Sequence, residues 1–336
     1  MNDNLANLTD RMNPQAMLIL SRALSAARPA LIGFLVAKGA ELSGGVAHPI
    51  SFCNILFVGN FCAALVVGFW FGFGNIVKDL RSLEPKAAIG LGINGFLSSI
   101  LAALIFTGLE HTTVTNTVLL GRLGPVLFAL VGALLLGKKI KPLEWFGFSL
   151  IGVGVVAIAL KTSNFQINKG DLLILISTVV FAASSLVNKL MIAKAASLPV
   201  VVFSRNFLSS IIFFIIAIQL FGPDHFAEAF SGQLWIVMSI YALILIVSAQ
   251  FLWYASIKQL DSRVIGRLTV LSPIFGVTYA FLLNGERPSG LQIATLIIII
   301  AGVLIASLGG QKKQESKQEM EEMIMQEPPE NTASAP

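Results

Sequence analysis

The sequence predicts an all-α integral membrane protein with ten transmembrane helices, arranged as two inverted five-helix repeats. Three observations predict it. Of 336 residues, 55% are hydrophobic and 12% are charged, against roughly 25% charged in soluble domains. Long apolar runs follow one another with short connections, each close to the roughly 20 residues that cross a hydrocarbon layer about 30 Å thick. Inside lipid every backbone polar group must be satisfied internally, and runs of this length do so as helices rather than as a barrel. Finally, one stretch recurs at a constant offset of 148 residues.

Residues 1–17 form a cytoplasmic N-terminal segment. It carries Asp3, Asp10 and Arg11, and its apolar run Met17–Leu20 is too short for a signal peptide. The first helix lies near 18–40 and holds Arg28 beside Pro29. The second, near 48–71, carries Cys53 and Cys62, which at 100° per residue fall on opposite helix faces and cannot bridge each other. The third, near 87–109, opens with Gly90, Gly92 and Gly95. With no strand before them these glycines read as helix packing, not as a phosphate loop. Helices near 112–136 and 142–161 complete a first repeat over 18–161. The second repeat, 162–310, holds helices near 171–192, 198–221, 234–257, 264–284 and 289–309. Beyond it, residues 311–336 are charged and Pro-containing and are expected to be a disordered cytoplasmic tail, in which EMEEMIM can form a short helix.

The repeat runs without a gap from Leu119–Leu160 onto Arg267–Leu308. Pro125 falls on Pro273, Gly137 on Gly285, and Gly154-Val155 on Gly302-Val303. Five helices per copy is an odd number, so the second copy enters the membrane upside down. Lysine and arginine fix the orientation. With both termini cytoplasmic, the inner segments hold Lys78, Arg81, Lys86, Lys138, Lys139, Lys141, Lys194, Lys258 and Arg263, and the outer ones Lys161, Lys169 and Arg287. Lys138 against Glu286 differs in the direction this bias requires.

An apolar helix with a central proline, a Leu-Gly-Glu-like turn and a helix with a late Gly-Val occurs twice, as GPVLFALVGALLLGKK with GFSLIGVGV and as SPIFGVTYAFLLNGER with IIIIAGV. On these motifs the chain resembles the drug/metabolite transporter superfamily, specifically the EamA-type ten-helix carriers, over about residues 20–310. The resemblance implies a bacterial inner (plasma) membrane carrier with a central cavity between the halves, opening alternately to each side. Its members move small organic metabolites. The turn glutamate appears as Glu286 but is Lys138 in the first half.

Outside the tail, every Asp and Glu lies at or near an expected helix end, so no carboxylate near mid-bilayer offers a proton relay. Arg122 is the exception among charges. It lies ten residues from Thr112, roughly 15 Å down a helix rising about 1.5 Å per residue. A charge at that depth costs at least ~2.5–3.5 kcal/mol. It is either a contact for an anionic substrate or a structural arginine on carbonyls freed by Pro125. Arg205 lies several residues inside the seventh helix. Asn94 and Ser98 share a face of the third helix, Asn116 precedes Arg122 on the fourth, and Gln250, Trp253 and Tyr254 share a face of the eighth. Each of these can contact a small solute or bond between helices.

The expected function is a secondary transporter, an exporter or exchanger of a small organic metabolite, anionic or carboxylate-bearing, working by alternating access. The alternative is a channel or a non-transporting membrane assembly subunit. No paired carboxylates, metal-spaced His/Cys set or catalytic triad suggests an enzyme, a metal or a cofactor. Scattered basic residues without aromatic interleaving speak against nucleic acid. The partners are a small-molecule substrate and the lipid bilayer.

Overall fold

The computed structural model of the chain describes residues 12–42, 52–135, 139–161, 168–192, 195–221, 232–257, 259–260 and 262–326. Among them nine helices are long and apolar enough to cross a membrane, and a bent pair makes a tenth span. The all-α membrane fold expected from the sequence is the fold found. Large apolar side chains such as Phe69, Leu134, Trp145, Leu282 and Ile297 lie exposed around the bundle. Such a surface requires lipid around it.

The first span is α1 (Pro14–Leu42). The second is α2 (Phe52–Phe71), which turns through 95° into α3 (Phe73–Arg81) at Gly72. Gly72 has φ 85°, a left-handed conformation that glycine adopts without strain. The apolar runs near 48–71 and 87–109 leave this stretch as a connection. Instead α3 buries Ile76 and leaves Lys78 and Arg81 exposed. The third span, α4 (Pro85–Leu109), starts on a proline whose missing N–H would have lacked a partner anyway.

The fourth span is broken into α5 (Val114–Leu120) and α6 (Leu123–Leu135), and the ninth into α12 (Ser262–Thr269) and α13 (Leu271–Asn284). Each break has a proline just beyond it, Pro125 and Pro273. A proline cannot donate to the carbonyl four residues back and its ring crowds that carbonyl, here those of Gly121 and Thr269. Between them lie α7 (Pro142–Lys161), α8 (Lys169–Val187) with a π turn at Asn188–Ile192, and α9 (Leu198–Phe221). The eighth span follows as α10 (Gly232–Tyr241), a π segment Ala242–Ser248 and α11 (Ala249–Ile257). The last span, α14 (Gly290–Gln326), continues as helix past residue 310, where composition predicts disorder. That stretch is rich in Gln, Lys, Glu and Met, all strong helix formers.

The α7 and α14 helices pack backbone to backbone. A Cβ on Gly147 would lie 2.5 Å from the Gly302 carbonyl, and one on Gly302 would lie 2.7 Å from the Gly147 carbonyl. A Cβ on Gly154 would meet Thr295 at 3.2 Å. Under the 148-residue offset Gly147 answers to Thr295 and Gly154 to Gly302. The two contacts therefore exchange with each other, as a local two-fold between α7 and α14 requires.

Candidate substrate cavity

A cavity of about 220 Å³ opens beside the break in the fourth span. Arg122 enters it because the helix stops there. The Arg122 amide turns to the Leu119 carbonyl at 3.2 Å, and its side-chain Nε donates to the Val118 carbonyl at 3.3 Å. Among the described residues the terminal nitrogens of this guanidinium have no partner. Ser177 of α8 and Ser272 of α13 line the cavity too, as do Arg22 and Ser25 of α1. Its remaining wall is apolar or small, including Ile105, Ile174 and Gly276. Among the described residues no acidic side chain lines it.

Arg22 is the functional candidate that sequence reasoning missed. The first helix was expected to begin near 18, which leaves Arg22 close to an interface. It begins at Pro14 instead, so Arg22 sits eight residues inside, about 12 Å along the axis. The Arg22 guanidinium lies over the Trp253 ring, 3.9 Å from its centroid, and Nη2 donates to Ser21 Oγ at 3.2 Å. Its Nε is buried without a hydrogen-bond partner. Ser21 in turn donates to the Ala249 carbonyl at 2.7 Å. Arg28 lies deeper on α1. It donates to the Leu245 carbonyl at 2.7 Å, within the π segment whose altered ladder exposes such a group.

The cavity is sealed toward the face that carries Glu286. Ala30, Leu109, Val114, Val118 and Ala280 form an apolar plug above it. A Cβ on Gly276 would lie 2.7 Å from Val118, so α13 and α5 approach as closely as glycine permits. Above the plug, α13 ends on Gly285 in the left-handed conformation at φ 66°, with Glu286 N–H bonded to the Ala280 carbonyl. This C-terminal turn aims the Glu286 carboxylate at the start of α5. It accepts from Val114 N–H at 2.6 Å, Thr115 N–H at 2.9 Å and Thr115 Oγ1 at 2.7 Å. The unpaired N–H groups and positive end of a helix favour a carboxylate there. Asn284, with its amide oriented to satisfy both groups, donates to the Ala30 carbonyl at 2.9 Å and accepts from Phe34 N–H at 3.1 Å.

The opposite face is not closed in the same way. Here α12 matches α5, while α6 and α8 match α13 and α1. Where α5 packs on α13 and α1, α12 packs on α14 and α1 and makes no comparable contact with α6 or α8 among the described residues.

Of the other residues singled out in the sequence, Trp253 touches the cavity's edge only through Arg22. Asn94 is buried and accepts from Ser184 Oγ at 2.6 Å, tying α4 to α8. Ser98 is buried with its hydroxyl unpartnered. Asn116 is fully buried, donating to Asp171 and accepting from Gln292 Nε2 at 2.8 Å. Asp171 also accepts from Thr112, and its N–H is bonded by the N-cap residue Asn168. That network joins α5, α8 and α14 without facing the cavity. Arg205 and Gln250 are partly buried and line no part of it. The Tyr254 side chain lies outside the described residues. Sequence spacing could not separate these, because polar residues on helix faces serve contacts between helices as readily as solutes.

The sequence profile of the EamA-like transporter family matches twice, over residues 47–160 and 168–308. An uncharacterized transporter of Synechocystis sp. is 33% identical over 306 residues, covering 88% of this chain and 86% of that one. A riboflavin transporter of Fusobacterium nucleatum is 26% identical over 74% of this chain and 86% of its own length. A probable amino-acid metabolite efflux pump of Salmonella typhimurium is 23% identical over 53% and 62%. One solved crystal structure covers 90% of this chain and 99% of its own at a TM-score of 0.57 and 21% identity, a likeness of fold.

Proposed function

The chain belongs to the EamA-like transporter family, and from that premise we propose that it exports or exchanges a small metabolite carrying a negative group, by alternating access. A transport protein rather than an enzyme is what family and relatives establish. The observation that carries the finer reading is Arg122, held at a helix break in a cavity where, among the described residues, its terminal nitrogens have no partner and no carboxylate lies. A guanidinium so placed is a preorganised donor pair for a carboxylate or phosphate.

Alternating access draws support from the two profile matches, the exchanged contacts around Gly147 and Gly302, and the unequal closure of the two faces. A repeat pair that rocks about a shared site would close the matching contacts on the other face and open the Glu286 seal. In this reading the cytoplasm lies on the side of Lys139 and Lys141, both termini face it, and the structure is closed toward the outside. Riboflavin and amino-acid metabolites, named for relatives, are organic solutes; the negative group proposed here rests on Arg122 and not on those names. The test is counterflow in proteoliposomes over a panel of carboxylates, amino acids and neutral analogues. Saturable counterflow of an anionic solute is the expected result, and transport confined to neutral solutes would overturn the reading.

A further inference from the structure

We propose that the cavity is a paired-cation site in which Arg22 is a second substrate-binding residue, selecting a small dianion. The inference rests on the transport reading above and deepens it. Arg22 reaches the cavity from α1 and Arg122 from the break between α5 and α6. Among the described residues neither has an acidic partner. Arg122 spends its Nε on one carbonyl, and Arg22 has one neutral hydroxyl and an unpartnered buried Nε.

Two like charges in a low-dielectric enclosure repel each other strongly, and each lacks the water it would have outside. The missing neutralisation is supplied by a ligand with acidic oxygens of total charge −2, from two carboxylates or from one phosphate monoester. A monoanion would leave one guanidinium uncompensated. The volume of about 220 Å³ restricts the ligand to a small solute. Trp253 then becomes a positioning residue, since its ring fixes the Arg22 plane.

The experiment measures melting temperatures of the purified full chain against succinate, glycerol 3-phosphate and the monoanion succinamate. It compares wild type with Arg22→Gln, Arg22→Lys and Arg122→Gln. At least one dianion is expected to stabilise the wild type saturably, with succinamate weaker by about tenfold or more. Which dianion does so tells carboxylate from phosphate. Arg22→Gln should remove the preference over succinamate, and Arg22→Lys should keep it. Without ligand, Arg22→Gln should melt higher than wild type, because one of two repelling charges is gone. A variant that fails to fold, or melts lower, would mark Arg22 as structural and overturn the proposal. Stabilisation by a dianion that is lost in Arg122→Gln but unchanged in Arg22→Gln overturns the second cation and leaves the anionic-substrate reading intact. No preference for either dianion, or no stabilisation at all, overturns the selectivity. If Arg122→Gln also leaves counterflow unchanged, the transport reading of that residue falls with it.

Discussion

The fourth and ninth spans break at matching positions, one at Gly121-Arg122 and the other at Val270. The cause is the same in both, a proline three residues past the second of these positions. What stands at the break is not the same. Arg122 lines the cavity, while Val270 is buried to 6% exposure. The duplicated scaffold thus supplies two equivalent openings in the helix ladder, and only one holds a charge. A helix break matters for binding because it frees carbonyls that hold an arginine at depth without an acidic partner. The same break with valine is packing alone.

Substitutions at five positions separate scaffold from site. The largest effect is expected for Gly147→Val, which touches the framework that both halves share. Its side chain would press on backbone atoms of Gly302 and Ala306 at 2.5 Å, so α7 and α14 must part. The cost should reach about 3 kcal/mol, at the upper end for overpacking, seen as a lower melting temperature and less monodisperse protein. Gly152→Val on the same helix, where a Cβ meets nothing within 4 Å, should be far milder. Equal melting of the two variants would contradict the close α7–α14 packing.

Next come the breaks themselves. Arg122→Ala should raise the transport KM by about tenfold or more, the worth of a charge-assisted hydrogen bond, without lowering the melting temperature. Val270→Ala should do the reverse, costing about 1–2 kcal/mol of stability from lost burial with KM intact. A KM effect from Val270→Ala as large as that from Arg122→Ala would erase the distinction between the breaks.

Glu286→Gln should have the smallest effect. It keeps an acceptor at the α5 N-terminus but removes the charge, at a cost of about 1 kcal/mol or less for a surface helix-end charge. Glu286→Ala should cost more, because two backbone N–H groups and a hydroxyl then lose their partner. A thermal melt compares the two, and equal melting of Glu286→Ala and wild type would remove the seal assigned to this carboxylate.

Much of this was legible in the sequence. Span existence and type followed from apolar length, and Arg122 stood out because a charge at that depth needs a reason. The 148-residue register brings Pro125 and Pro273 into line. Other features were not legible for physical reasons. Arg22 was hidden by a helix boundary, since four residues at the start of α1 decide whether it sits at an interface or in the cavity. Arg28 could not be assigned, because its partner is a backbone carbonyl in a π segment 217 residues away. Asn116 lies near Arg122 in sequence, yet its bonds to Asp171 and Gln292 commit it to packing. The role of Glu286 depends on where the N-terminus of α5 lies, and no local pattern encodes that.

The most direct measurement is counterflow of small anions in proteoliposomes by wild type beside folded Arg122→Gln. Saturable counterflow of an anionic solute by the wild type, with KM raised about tenfold or more in the variant, is the expected result. Unchanged counterflow of every transported solute in Arg122→Gln would contradict the assignment of this cavity to the substrate.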